Sequence, residues 1–209
     1  MSRVRPAAGP TPAGFVLYVE GPRDRDLLRT WAQRVSPILA RGIAECTVIL
    51  GGRQPARAVA HFRELRARGE AERGLCVLDR DGESGAPRLA DEEPGLAFFT
   101  WRRRHIESYL LVPDAIRRSA RAPAELRVLR SLRALLPPAD DEAALANLDA
   151  KRLLARHGPL DQLLGSLPPS RIARAMRAEE LHPDVRALLE QIRVGLGLPE
   201  GVLRVTLRP

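Results

Sequence analysis

Hydrophobic positions in the first half of the chain fall into short continuous runs separated by amphipathic stretches. The apolar runs are Phe15 to Val19, Ala44 to Leu50, Leu75 to Leu78 and Leu96 to Thr100, and helical periodicity fills Arg23 to Ser36 and Pro55 to Arg68. Runs of four to eight apolar residues alternating with helices of this length predict βαβ units and a parallel sheet whose strand C-termini share one edge. Beyond Trp101 the pattern changes to helices punctuated by proline: His105 to Leu111, Pro113 to Arg121, Ala124 to Leu135, Asp141 to Arg156, Leu160 to Leu164, Pro169 to Ala178 and Pro183 to Val194, with Val202 to Leu207 as a short final strand. The expected organisation is a frayed tail over 1–14, an α/β core over 15–112, and a helical appendage over 113–209 packed on that core or completing it.

Composition narrows the class. A chain of 209 residues with 44% hydrophobic and 29% charged positions can bury one globular core. No run approaches the roughly 18 apolar residues of a membrane span, and the Pro-, Ala- and Gly-rich start lacks the apolar segment of a signal peptide. A cytoplasmic location without membrane attachment is expected. Cys46 and Cys76 both sit in strand-like apolar runs, so they read as free packed thiols with no disulfide or zinc site implied. His61, His105, His157 and His182 show no metal-ligand spacing, and only His105 lies near the acidic motifs described below.

The net charge of +8 points to a polyanionic partner, and its distribution is uneven. Trp101 to Leu136 holds nine Arg against Glu107, Asp114 and Glu125, a local +6. Arg102, Arg103 and Arg104, with Arg117, Arg118 and Arg121, are the candidate phosphate track, a solvated basic face being the plainer alternative. Aromatics at 4% are too few for a stacking platform, so Trp31 and Trp101 are expected in the core. Of 34 basic residues all but Lys151 are Arg. In a chain so drifted toward Arg, a single Lys marks either chance survival or a position where a compact ammonium is required.

Candidate chemistry lies at the ends of the predicted strands. In VEGPRD the first strand ends at Glu20, Gly21 permits a tight turn, and Asp24 follows about one helical turn later; Asp24 also suits a helix N-terminus as a plain macrodipole partner. In LDRDG a further strand ends at Asp79, and Asp81 shares its face in extended backbone. Two such carboxylates repel unless a cation lies between them, and oxygen donors of this kind suit Mg²⁺; an Asp-Gly turn is the plain reading. Glu107, in HIESYLL, lies one short segment past the next strand and gains meaning only beside the others. Gly51-Gly52 after the second strand permits either a turn or close approach of a phosphate. Neither Tyr18, in a strand, nor Tyr109, in a helix, is placed as a covalent nucleophile.

The order VEGPRD, LDRDG, HIESYLL and DAKRLL resembles the TOPRIM domain of the OLD (overcoming lysogenization defect) nucleases, from about Phe15 to Arg156. The resemblance implies a Rossmann-like parallel sheet flanked by helices, dependence on Mg²⁺ or Mn²⁺, two ions in all, and endonucleolytic nicking or double-strand cleavage of nucleic acid, DNA in preference to RNA. It makes Glu20, Asp24, Asp79, Asp81 and Glu107 metal ligands and gives Glu20, Asp79, Asp81 and Lys151 the catalytic roles. OLD proteins carry an ATPase, whereas no G-x-x-x-x-G-K-[ST] sequence occurs here, so ATP-driven control and a role in phage defence would need a separate ATPase subunit; self-association is equally compatible. Two other readings remain open. Asp79-Arg80-Asp81-Gly82 also resembles the Asp-x-Asp-Gly of haloacid dehalogenase phosphatases, with Asp79 as nucleophile, although that motif normally sits on the first core strand. The chain could equally be a non-catalytic subunit that binds metal or nucleic acid.

Overall fold

The computed structural model describes residues 14–80, 93–120 and 126–202. By compactness the described residues divide into two units, one within Met1–Leu78, Glu83–Thr100 and Ala187–Arg204, the other within Asp79–Gly82, Trp101–Arg186 and Val205–Pro209.

The first unit is built on a parallel sheet of β1 (Phe15–Val19), β2 (Thr47–Ile49), β3 (Arg73–Leu78) and β4 (Leu96–Thr100), in the order β2-β1-β3-β4. The two central strands read as unbroken apolar runs because both their faces are covered. All five residues of β1 are buried, as are the last five of β3. Val16, Tyr18, Cys76 and Leu78 face one cluster with Ala58 and Phe62 of α3 (Pro55–Ala67), a burial worth about 1.5–3 kcal/mol for each large side chain. Register is fixed by Tyr18 opposite Cys76 and Tyr18 opposite Val48. The chain leaves β1 for β2 on one side and returns to β3 on the other, so the strand order reverses between β1 and β3. In open α/β sheets ligands bind beyond the strand C-termini at such a reversal. Glu20 is the residue after β1, and Asp79 is the residue after β3.

Two helices, not one, connect β1 to β2. α1 (Pro22–Val35) ends at Ser36, whose Oγ accepts the Leu39 N–H at 3.2 Å and opens α2 (Pro37–Cys46). The Ser-Pro pair forces this break: Pro suits the first helical turn and Ser the N-cap. Cys46 is therefore the last residue of a helix, where the sequence suggested a strand, and β2 keeps only the β-branched Thr47–Ile49. Burial, the larger influence, pushes the Cys46 thiol up to about 12, and burial aided by the Glu20 carboxylate does the same at Cys76.

The second unit is helical: a 3-10 helix Ile106–Leu110, then α4 (Pro113–Ala120), α5 (Leu126–Leu135), α6 (Glu142–Asn147), α7 (Ala150–Leu153), α8 (Pro159–Leu164) and α9 (Pro169–Ala175). Trp101, Ile106, Tyr109, Ile116, Leu132 and Ile172 are buried there, and Trp31 is buried in the first unit, as expected of core tryptophans. α10 (Pro183–Gly195) begins in this unit and ends in the first. The stretch Asp141 to Arg156 is not one helix: α6 stops at Asn147 and Asp149 caps α7 by accepting the Arg152 N–H at 2.9 Å. Asx residues compete with the helical backbone in this way. Among the described residues no helix is long and apolar enough to cross a membrane, and the strand expected over Val202 to Leu207 lies outside them beyond Val202, which ends a 3-10 turn.

Candidate active site

Asp79 is the first residue after β3 and is only 6% exposed. A carboxylate at that depth needs compensation from donors or charge. Oδ1 accepts the Ile106 N–H at 3.1 Å, at the start of the 3-10 helix, and Oδ2 accepts from Lys151 Nζ at 2.7 Å. His105 Nδ1 stands 3.4 Å from the same Oδ2. The lone lysine of the sequence and the strand-end aspartate, 72 positions apart, thus form a direct ion pair. The cation that the strand-end aspartate calls for is supplied, at Asp79, by the Lys151 ammonium.

The break between α6 and α7 makes this pair possible. Arg80 N–H donates to the Arg104 carbonyl at 3.1 Å, Arg104 N–H to the Ala146 carbonyl at 2.9 Å, and the Arg80 guanidinium to Ala146 O and Asn147 Oδ1. These bonds pin the residue after Asp79 and the segment before His105 to the end of α6. Lys151 is the second residue of α7, in the turn that Asp149 caps. The Asp149 carboxyl is held below its usual range first by the Arg152 N–H and then by Arg104 and His105.

Glu107 lies in the 3-10 helix, one residue beyond the N–H that holds Asp79, and is 2% exposed. That helix rests on a polar network the sequence did not reveal. Tyr109 Oη donates to Asp184 at 2.7 Å and accepts the Arg103 N–H at 3.1 Å. The Arg103 guanidinium donates twice to Glu142, at 2.9 and 2.7 Å, and to the Ser108 carbonyl at 3.0 Å, while lying 5.1 Å from the Tyr109 ring centre. Tyr109 also packs on Trp101 and His182. The only sequence signal for this network is the spacing Trp101, Arg103, Tyr109, since its acidic partners come from helices far along the chain.

In the first unit, Glu20 and Asp24 flank a tight backbone turn. The Glu20 carbonyl accepts from both Gly51 and Gly52, at 2.9 Å each, with φ at +82° and +125°, values that favour glycine. Turn geometry therefore accounts for this glycine pair. Asp24 accepts the Gly21 N–H at 2.6 Å and so holds the entry to α1. The Glu20 charge is felt at Cys76 on β3.

The candidate phosphate track is only partly open to solvent. Arg102 is 81% exposed and 3.4 Å from Asp184, Arg104 is half exposed and 3.9 Å from Asp149, and Arg117 pairs loosely with Asp114. Arg103 is buried, and Arg118 is bonded to the Ala175 carbonyl and to Glu180, so neither presents a free guanidinium to a phosphate. Asp81 and Arg121 lie outside the described residues. Among the described residues no three His, Cys, Asp or Glu side chains form a ready cluster for a metal ion.

No family model matches the sequence, nor does any curated protein. Two solved structures resemble this chain. The C-terminal region of the Burkholderia pseudomallei OLD protein aligns with a TM-score of 0.50 at 19% identity, over 88% of this chain and 98% of that one. The C-terminal region of the Xanthomonas campestris pv. campestris OLD protein aligns with a TM-score of 0.48 at 18% identity, over 88% of this chain and 96% of that one. Strand order, helical flanks and the first of these alignments agree: the chain has the α/β fold of the C-terminal region of an OLD protein.

Proposed function

We propose that the protein is a metal-dependent nuclease that hydrolyses nucleic-acid phosphodiesters at the carboxylates following β1 and β3. The observation that supports this reading is the Asp79–Lys151 pair at 2.7 Å, which joins the buried acid following β3 to the chain's only lysine. The donor set fits a hard cation, since Glu20, Asp24, Asp79 and Glu107 offer only carboxylate oxygens, as Mg²⁺ and Mn²⁺ prefer. By the motif resemblance, Asp79, Asp81 and Glu107 are the candidate ligands of the second unit, and Glu20 and Asp24 those of the first. Such ions supply an activated water and a counter-charge for the leaving oxygen.

The chain's own residues then divide the remaining tasks. Ile106 N–H and His105 orient Asp79. Lys151 stands by the scissile phosphate and offsets the charge that grows in the transition state. Arg102, Arg104 and Arg117, with Arg121 from the sequence, guide the backbone of the substrate, and Arg103 holds the 3-10 helix through the Ser108 carbonyl. Incubation with supercoiled plasmid and with structured RNA under Mg²⁺, Mn²⁺ and EDTA tests the proposal. Cleavage of either with a divalent ion and none with EDTA is expected; binding without cleavage under every metal condition would overturn it in favour of a non-catalytic subunit.

A further inference from the structure

The position of Lys151 bears on how a cation reaches Asp79. Oδ1 is engaged by the Ile106 N–H and Oδ2 by the Lys151 ammonium, with His105 Nδ1 at 3.4 Å from that same oxygen. The ammonium at 2.7 Å engages Asp79 Oδ2, and a divalent ion bound to that oxygen beside it would meet strong like-charge repulsion in a partly desolvated setting. The Lys151 side chain is 46% exposed and rises from a four-residue helix, so its flexible stem can swing outward at little cost. Asp79 is buried and cannot.

We infer that Lys151 is the built-in counter-ion of Asp79 in the metal-free protein, and that a divalent cation binds Asp79 by displacing it. The inference rests on the metal-dependent reading above. It gives one residue two positions: closed on Asp79, where it keeps a buried carboxylate paired, and released, where its ammonium is free to meet an anionic phosphate. Metal affinity is then lowered by the ion pair, and the lysine becomes available to substrate only once metal is in place.

Because Lys151 is the sole lysine, its side chain can be followed without ambiguity. The 209-residue chain labelled with ¹³C,¹⁵N-lysine gives a single ε-CH₂/Nζ signal, to be recorded during Mg²⁺ titration and in Asp79→Asn. The signal should move with Mg²⁺ toward the position it already holds in metal-free Asp79→Asn. In parallel, Lys151→Met should bind Mn²⁺ about three- to tenfold more tightly than wild type at low ionic strength, as expected when one competing charge is removed, while Asp79→Asn should lose that binding. A lysine signal that stays fixed while Mn²⁺ binding saturates, or a Lys151→Met protein that binds Mn²⁺ no more tightly, would overturn the displacement and leave the metal site standing. Absence of Mn²⁺ binding in wild type and in Lys151→Met alike would overturn both this inference and the proposed function. Should Lys151→Met fail to fold, the wild-type titration alone decides.

Discussion

Replacing Asp79 separates its structural role from its chemical one. Asp79→Ala removes the acceptor of the Ile106 N–H, a donor on a fully buried residue, and leaving such a donor unsatisfied costs about 1–3 kcal/mol. It also removes the partner of Lys151, which is half exposed, so that the ion pair contributes at most about 1 kcal/mol after screening. The sum is about 1–4 kcal/mol, or a drop in Tm of about 2–16 °C for a chain of this size. Asp79→Asn keeps an oxygen for Ile106 and loses only charge, for about 1 kcal/mol or less and a Tm within about 4 °C of wild type. Both substitutions should lower plasmid cleavage by at least about a hundredfold, because the strand-end charge is gone in each. Thermal unfolding by circular dichroism, run beside the plasmid assay, reads both effects. Equal Tm losses for the two variants would refute the assigned role of the Ile106 bond, and full cleavage by Asp79→Asn would refute the catalytic one. Asp79→Ala alone confuses loss of fold with loss of chemistry, so Asn is the sharper test.

Three further outcomes are expected. Arg103→Ala should cost about 1–3 kcal/mol in urea denaturation, chiefly by removing the guanidinium donor of the buried Ser108 carbonyl, since Glu142 is half exposed and keeps His182 at 3.5 Å, whereas Arg102→Ala should change stability by at most about 1 kcal/mol and, in a salt-dependent DNA-binding titration, reduce the log–log slope by about one; the reverse pattern would refute the burial argument. Cys46 and Cys76, buried and pushed up to about 12, should resist a thiol reagent in the native protein at pH 8 and react fully in denaturant. His182 is held below its usual range, chiefly by burial and then by Arg103, so the unfolded chain binds its proton more readily than the folded one. Stability should therefore fall as pH drops below about 6.5 toward the depressed folded value and level off beneath it, and His182→Asn should lose less stability than wild type between pH 7.5 and 5 in denaturant titrations.

The sequence alone determined the alternation of strands and helices in the first half, because continuous apolar runs and amphipathic periods are local properties of the chain. The prolines gave most helix starts, including those of α1, α3, α4, α8, α9 and α10. It also singled out Glu20, Asp79 and Lys151, from strand ends, glycine turns and a lone lysine among arginines. It misjudged what depends on competition between neighbours: Ser36 and Pro37 open a second helix that takes Cys46 out of the strand, and the Asx residues at 147 and 149 divide a helix whose periodicity looked continuous. Only tertiary structure decided which charges are buried. Arg102, Arg103 and Arg104 are identical in sequence, yet the middle one faces Glu142 and Tyr109 from within a helical unit while Arg102 is open to water, because long-range packing, not residue type, sets the solvation of a side chain. By the same packing Lys151 meets Asp79 across 72 positions, a contact that no local pattern encodes.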